Sequence, residues 1–101
     1  MFYQIKRLHV KEGFSSQMVE RFSKKGSLIE QQPGFIDKQV LVKKSRRGDE
    51  EVLVLIHWES EEDWKNWEKH PDHIAGHKAN LGKPRPEFVI ESSQDVYEVK
   101  S

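Results

Sequence analysis

The run from Val52 to Trp58 constrains this chain more than any other stretch. Val52, Leu53, Val54, Leu55 and Ile56 are apolar at odd and even positions alike, so a strand built from them has two faces to hide from water. The rest of the 101 residues offers helical patterning in only two regions, and two helices cover one face of one sheet. The other face needs a different cover. A second copy of the same chain is the economical one.

The segments around that run supply the rest of one sheet. Residues 2–10 alternate, with Phe2, Gln4, Lys6, Leu8 and Val10 on one side and Tyr3, Ile5, Arg7 and His9 on the other. A turn at residues 11–13 leads to a helix that Ser15 or Ser16 is placed to cap, with Met18, Val19 and Phe22 inward and Arg21, Lys24 and Lys25 outward. Gly26 weakens the helix, Leu28 and Ile29 extend it or form a last turn, and Pro33 with Gly34 ends it. Phe35 to Val42 is rich in strand formers. Residues 43–51, with Lys43, Lys44, Arg46, Arg47, Asp49, Glu50 and Glu51, read as a solvated hairpin tip turning at Gly48 and Asp49. Near the C-terminus, residues 80–82 suit a helix C-cap, residues 83–86 a rigid connection, and residues 87–90 with 95–99 a bulged final strand. The order is β-α-β-β-α-β, an α+β ferredoxin-like arrangement with an antiparallel sheet in one domain over residues 1–101.

Between Trp58 and His77 lies the densest chemistry, including all three tryptophans. Ser60 is an N-cap, and Glu61, Glu62 and Asp63 place negative charge where first-turn amides favour it. Trp64 and Trp67 share one helix face, and Pro71 divides the segment into two short helices or one kinked helix. Two neighbouring indoles exceed what packing of so small a layer needs, so one of them is expected to line a cavity. His70 and His73 are expected on a solvated helix face, since no carboxylate stands ready to complete a zinc or copper site with them. His77 follows the small residues Ala75 and Gly76, which let a flat ligand approach. Two readings stay open for it: axial ligand to a haem iron, or a half-buried histidine bonded to a carbonyl.

Seventeen basic residues balance seventeen acidic ones, which leaves no basic field for nucleic acid. There is no cysteine, hence no disulfide and no thiolate nucleophile. No run approaches the roughly 18 apolar residues of a membrane span, and the first residues lack the apolar core of a signal peptide. The expectation is a cytoplasmic protein that uses neither membrane nor nucleic acid. No Ser-His-Asp set, Gly-rich phosphate loop or carboxylate pair stands out.

Trp58 and Ser60, then Trp67, then His77 ten residues later, preceded by Lys6-Arg7-Leu8, Glu20-Arg21-Phe22 and Pro33-Gly34-Phe35, resemble the IsdG-type haem-degrading monooxygenases of the antibiotic biosynthesis monooxygenase superfamily. The resemblance runs nearly end to end. It implies a homodimer whose sheets join into an α/β-barrel, each chain holding a haem that serves as cofactor and substrate. It assigns His77 as the iron ligand and Trp67 as the residue whose bulk bends the porphyrin, with O2 and an external electron donor, supplied by a reductase, completing the reaction. Where such proteins carry an asparagine on the first strand this chain has Lys6, and Gln4, two residues earlier on the same face, is an amide able to substitute. Lys78, Lys83 and Arg85 are candidates for the propionates. Two other readings are a haem carrier that leaves the ring intact, which the Lys6 replacement favours, and a cofactor-independent quinol monooxygenase.

Overall fold

The structure, a computed structural model, describes residues 1–44, 47–80 and 86–101, and at Gly76, His77, Ala79 and Asn80 the backbone alone. The expected C-cap at 80–82, the connection from Lys83 to Arg85, Arg46 of the hairpin tip and the side chain of His77 therefore lie outside the described residues. The elements are β1 (Phe2–Val10), α1 (Ser15–Phe22), a 3₁₀ turn (Leu28–Gln31), β2 (Phe35–Val42), β3 (Glu50–Trp58), α2 (Glu61–Glu68), α3 (Pro71–Asn80) and β4 (Val89–Glu98). The four strands form one antiparallel sheet in the order β2-β3-β1-β4. No described helix is long and apolar enough to cross a membrane.

Register sets which side chains meet. Phe2 pairs with Trp58, Gln4 with Ile56 and Lys6 with Val54, so the alternate residues of β1 and β3 share the face that the helices cover. On that face Phe2, Val54, Ile56, Trp58 and Trp67 form one buried cluster, and Val10, Met18, Val52 and Val89 form another. Phe22 of α1 packs against both. The opposite face carries Tyr3, Ile5, Leu41, Leu53, Leu55 and Tyr97 by the same alternation, with Leu41 and Tyr97 exposed.

The helix starts differ in mechanism. At α2 the Ser60 hydroxyl accepts the Asp63 N–H at 3.2 Å and donates to the Asp63 carboxylate at 2.8 Å, the capping its sequence announces. At α3, Pro71 occupies the first helical position, where its missing N–H costs nothing, and His70 Nδ1 accepts the Asp72 N–H at 3.1 Å. The start of α1 departs from expectation. Phe14, not a serine, stands at the N-cap, and the orphan amides of Gly13 and Ser15 donate to the Glu50 carboxylate of β3 at 2.8 and 3.1 Å. The hairpin tip is accordingly not all solvated charge: Glu50 ties β3 to α1, and Glu51 pairs with Arg7 at 3.4 Å. Before β2, Gly34 adopts φ +84°, and a Cβ there would collide with the Asp63 side chain of α2. The final strand is continuous from Val89 to Glu98, so Glu87, Phe88 and Val99 of the expected segments lie outside it, and its one irregularity falls opposite the His9–Val10 step of β1.

Candidate functional site

A cavity of about 480 Å³ lies between the helix-facing side of the sheet and the helices. Its floor is Gln4 and Lys6 of β1, Val54 and Ile56 of β3, Lys38 of β2 and Gln94 of β4. Arg21 and Phe22 of α1, with Lys24, Ser27, Leu28 and Ile29, make one wall, and Trp67, Glu68 and His73 make the other. Lys6, Gln4 and Trp67 thus come together, from two elements, β1 and α2. The sequence separation of these elements is large, and the antiparallel register of β1 and β3 is what joins them.

Trp67 is both core and wall. Its indole is only 8% exposed, packed with Ile56 and Trp58 beneath it. His73 lies 4.6 Å from it between ring centroids and His70 5.8 Å, so the break at Pro71 folds two histidines back over the indole. This corrects the expectation of a solvated pair: His73 is half-buried, lines the cavity and meets Glu68 at 3.1 Å, while His70 serves as the α3 cap. The α2–α3 break turns what would be an outward i, i+3 position of one helix into an inward position of another.

Electrostatics divide the site. Burial holds the Lys6 ammonium below its ordinary value, Glu68 opposes that shift, and Arg21 and Lys38 add to it. Lys6 Nζ sits 5.8 Å from the Phe22 ring centroid and the Arg21 guanidinium 5.6 Å from the same ring, so one aromatic carries a cation on each contact. Lys38 is tied, its Nζ donating to Glu30 at 3.0 Å and to the Lys24 carbonyl at 3.2 Å. That bond, with the Gly26 amide, keeps the Glu30 carboxyl below the usual carboxylate range. Gln4 is 2% exposed, and its Oε1 accepts the Trp58 indole N–H at 3.3 Å.

Four cations, Lys6, Arg21, Lys24 and Lys38, thus stand at a cavity that also holds the Glu68 carboxylate and an apolar surface from Phe22, Ile29, Val54, Ile56 and Trp67. The arrangement accepts a flat apolar molecule bearing acid groups. Lys78 is exposed and is not among the residues of this cavity. Lys38, Arg21, Glu68 and His73 are residues that sequence reasoning did not assign to a site. Lys38 was open to discovery, since it has the parity of Val40 and Val42 on β2.

Comparison with known proteins agrees with this geometry. The family model described as antibiotic biosynthesis monooxygenase matches residues 1–79. The heme-degrading monooxygenase HmoA of Bacillus subtilis is 54% identical over 101 residues, covering all of this chain and 93% of that protein. A Bacillus cereus crystal structure described as an antibiotic biosynthesis monooxygenase superposes with TM-score 0.85 at 51% identity, covering 99% of this chain and 93% of that one. The heme degrader MhuD of Mycobacterium tuberculosis, with two hemes bound in its active site, superposes with TM-score 0.68 at 28% identity, covering 98% and 95%. With a ferredoxin-like sheet, a cavity between sheet and helices, and a family match over most of its length, the chain belongs to the antibiotic biosynthesis monooxygenase family.

Proposed function

We propose that this chain is a haem-degrading monooxygenase that releases iron from haem inside the cell. The observation that carries the reading is the cavity walled by Trp67 and lined by Lys6, Arg21, Lys24 and Lys38. Haem is a flat apolar macrocycle with two carboxylates, and this donor set fits it: apolar surface from Val54, Ile56, Phe22 and Trp67, and cations for the propionates. HmoA and MhuD, both named for heme degradation, support the same assignment.

Bound haem would supply the iron on which O2 is activated with electrons from an external donor, a reductase in the cell. The chain's own residues do the rest. His77, on the last turns of α3, is proposed as the iron ligand. Trp67 is the unyielding part of the wall, because Ile56 and Trp58 back it and His73 and His70 flank it. Trp67 would therefore set the shape of the wall against which a bound macrocycle must fit. Lys6 and Gln4 supply donors from the floor, and the walls of α1 and α2 exclude water from the apolar half.

The uncovered sheet face belongs to the same reading. Tyr3, Ile5, Leu53 and Leu55 there are covered by a second copy, giving a homodimer of joined sheets. The test is an absorbance titration with hemin, then ascorbate in air with catalase present. The expected outcome is one haem per chain with an intense Soret band, lost in His77→Ala, and bleaching with iron release on reduction. A stable spectrum under reduction would make the protein a carrier, and absence of saturable hemin binding would leave an organic quinol as the better substrate.

A further inference from the structure

We infer that Gln4 is the fixed hydrogen-bond donor of this cavity and that Trp58, on the neighbouring strand, is the positioning residue that aims it. This rests on the haem reading above and narrows it, choosing between the two floor residues.

An indole N–H donates and cannot accept, so the group facing Trp58 must be an acceptor. The only acceptor on the Gln4 side chain is Oε1, and it stands 3.3 Å from Trp58 Nε1. The amide orientation is thereby settled, and the Nε2 hydrogens point away from Trp58. Among the described residues no protein group accepts from that nitrogen, yet Gln4 is 2% exposed and borders the cavity. Among the described residues Gln4 Nε2 is not one of the buried polar atoms left without a partner, so this nitrogen keeps a little open surface, on the cavity that Gln4 borders. An amide thus stands in the middle of a central strand, between its cross-strand partners Ile56 and Val96, where a leucine would pack, and a ligand acceptor inside the cavity gives its free N–H a use. Trp58 itself is fully buried, with the Phe35 ring edge-on at 5.9 Å, so the indole cannot turn to release the amide.

Lys6 is the weaker candidate for a directed donor. Its ammonium sits beside the Phe22 ring, is drawn by Glu68, and borders a second hollow toward Met18 and Ser92 as well as the main cavity. A flexible ammonium shared between two spaces neutralises an acid group well and orients a small acceptor poorly. The division of labour is therefore carboxylate neutralisation by Lys6 and acceptor orientation by Gln4.

The test uses fluoride as a small acceptor probe on the hemin-loaded protein, with affinity read by absorbance, alongside the indole N–H resonances of the apo protein by ¹⁵N NMR. Gln4→Met, close in volume and without polar hydrogens, should shift the Trp58 indole resonance and speed its exchange with solvent. The same variant should lose about tenfold or more in fluoride affinity, the size of one hydrogen bond to an anion. Trp58→Phe, which keeps the amide but frees it, should lose part of that affinity. Lys6→Met should weaken hemin binding more than it weakens fluoride binding. Fluoride affinity that is indifferent to Gln4→Met, or that falls in Lys6→Met instead, would overturn the inference. Wild-type protein that takes up no hemin would sink the haem reading and the donor role together, while the indole resonance would still report whether Gln4 and Trp58 are bonded, so the two failures are distinguishable.

Discussion

Lys6 illustrates how a single side chain can serve a site at the expense of the fold. Its charge is partly stripped of water, so the folded state holds its proton less firmly than the unfolded chain does. Between the folded value and the ordinary value of 10.5 the unfolded state binds more protons, and stability rises with pH across that window. Below it the cost of the buried charge is fully present. Lys6→Met should therefore raise Tm by a few degrees at pH 7, with the advantage shrinking as pH approaches 10.5, while hemin affinity falls; thermal melts across pH check it. Glu50 runs the opposite way. Backbone bonds from Ser15 and Gly13 depress its carboxyl, so its contribution is present above the ordinary value of 4.5 and disappears as pH falls through the lower folded value. Glu50→Ala should lower Tm at pH 7, with the wild-type and variant melts converging under acid conditions. The capping role of Glu50 was not legible in the sequence, because serine spacing at Ser15 and Ser16 is a local signal and the cap arrives from a strand 35 residues away.

At the level of elements, the wall bearing Trp67 depends on how closely the start of α2 approaches the turn before β2. Gly34 has both the left-handed φ and no Cβ, and Asp63 fills the space a Cβ would need. Gly34→Ala should cost about 1–3 kcal/mol from backbone strain, plus a displacement of α2. Combining it with Asp63→Ala relieves the collision and leaves the strain, so denaturant midpoints should show partial rescue, and hemin affinity should follow α2 more than total stability. The elements themselves were legible: alternation marks β1 and β3, Ser60 marks the start of α2, and Pro71 marks the break. The facing of the histidines was not, because a helical wheel drawn through residues 61–77 assumes one axis where there are two. His73 changes sides when Pro71 restarts the helix, which no periodicity within either piece reveals.

For the molecule as a whole, the two-faced apolar run of β3 gave the architecture its clearest warning. Leu55 pairs with Ile5 and Gln39 on the face without helices, and Leu55→Glu places a charge there. If a second copy covers that face, the variant should elute at half the wild-type mass and keep its secondary structure; light scattering with circular dichroism checks both. The cavity was legible only as the demand that Trp67 line something, since its floor is assembled from four strands whose register no local pattern states. One consequence of that assembly concerns time. β1 lies between β3 and β4, and Val99 N–H reaches the Met1 carbonyl at 3.0 Å, so the floor strand is completed by contacts spanning nearly the whole chain. The β2–β3 hairpin can zip early, whereas β4 must search across the largest loop the chain can close, which makes its docking the slow event. Before it docks, Gln94 is absent from the floor and β1 presents a bare edge, open to the wrong neighbour. A molecule that binds the finished cavity meets nothing to hold in the transition state. Hemin present during refolding should leave the folding limb of the chevron where it was and slow the unfolding limb alone.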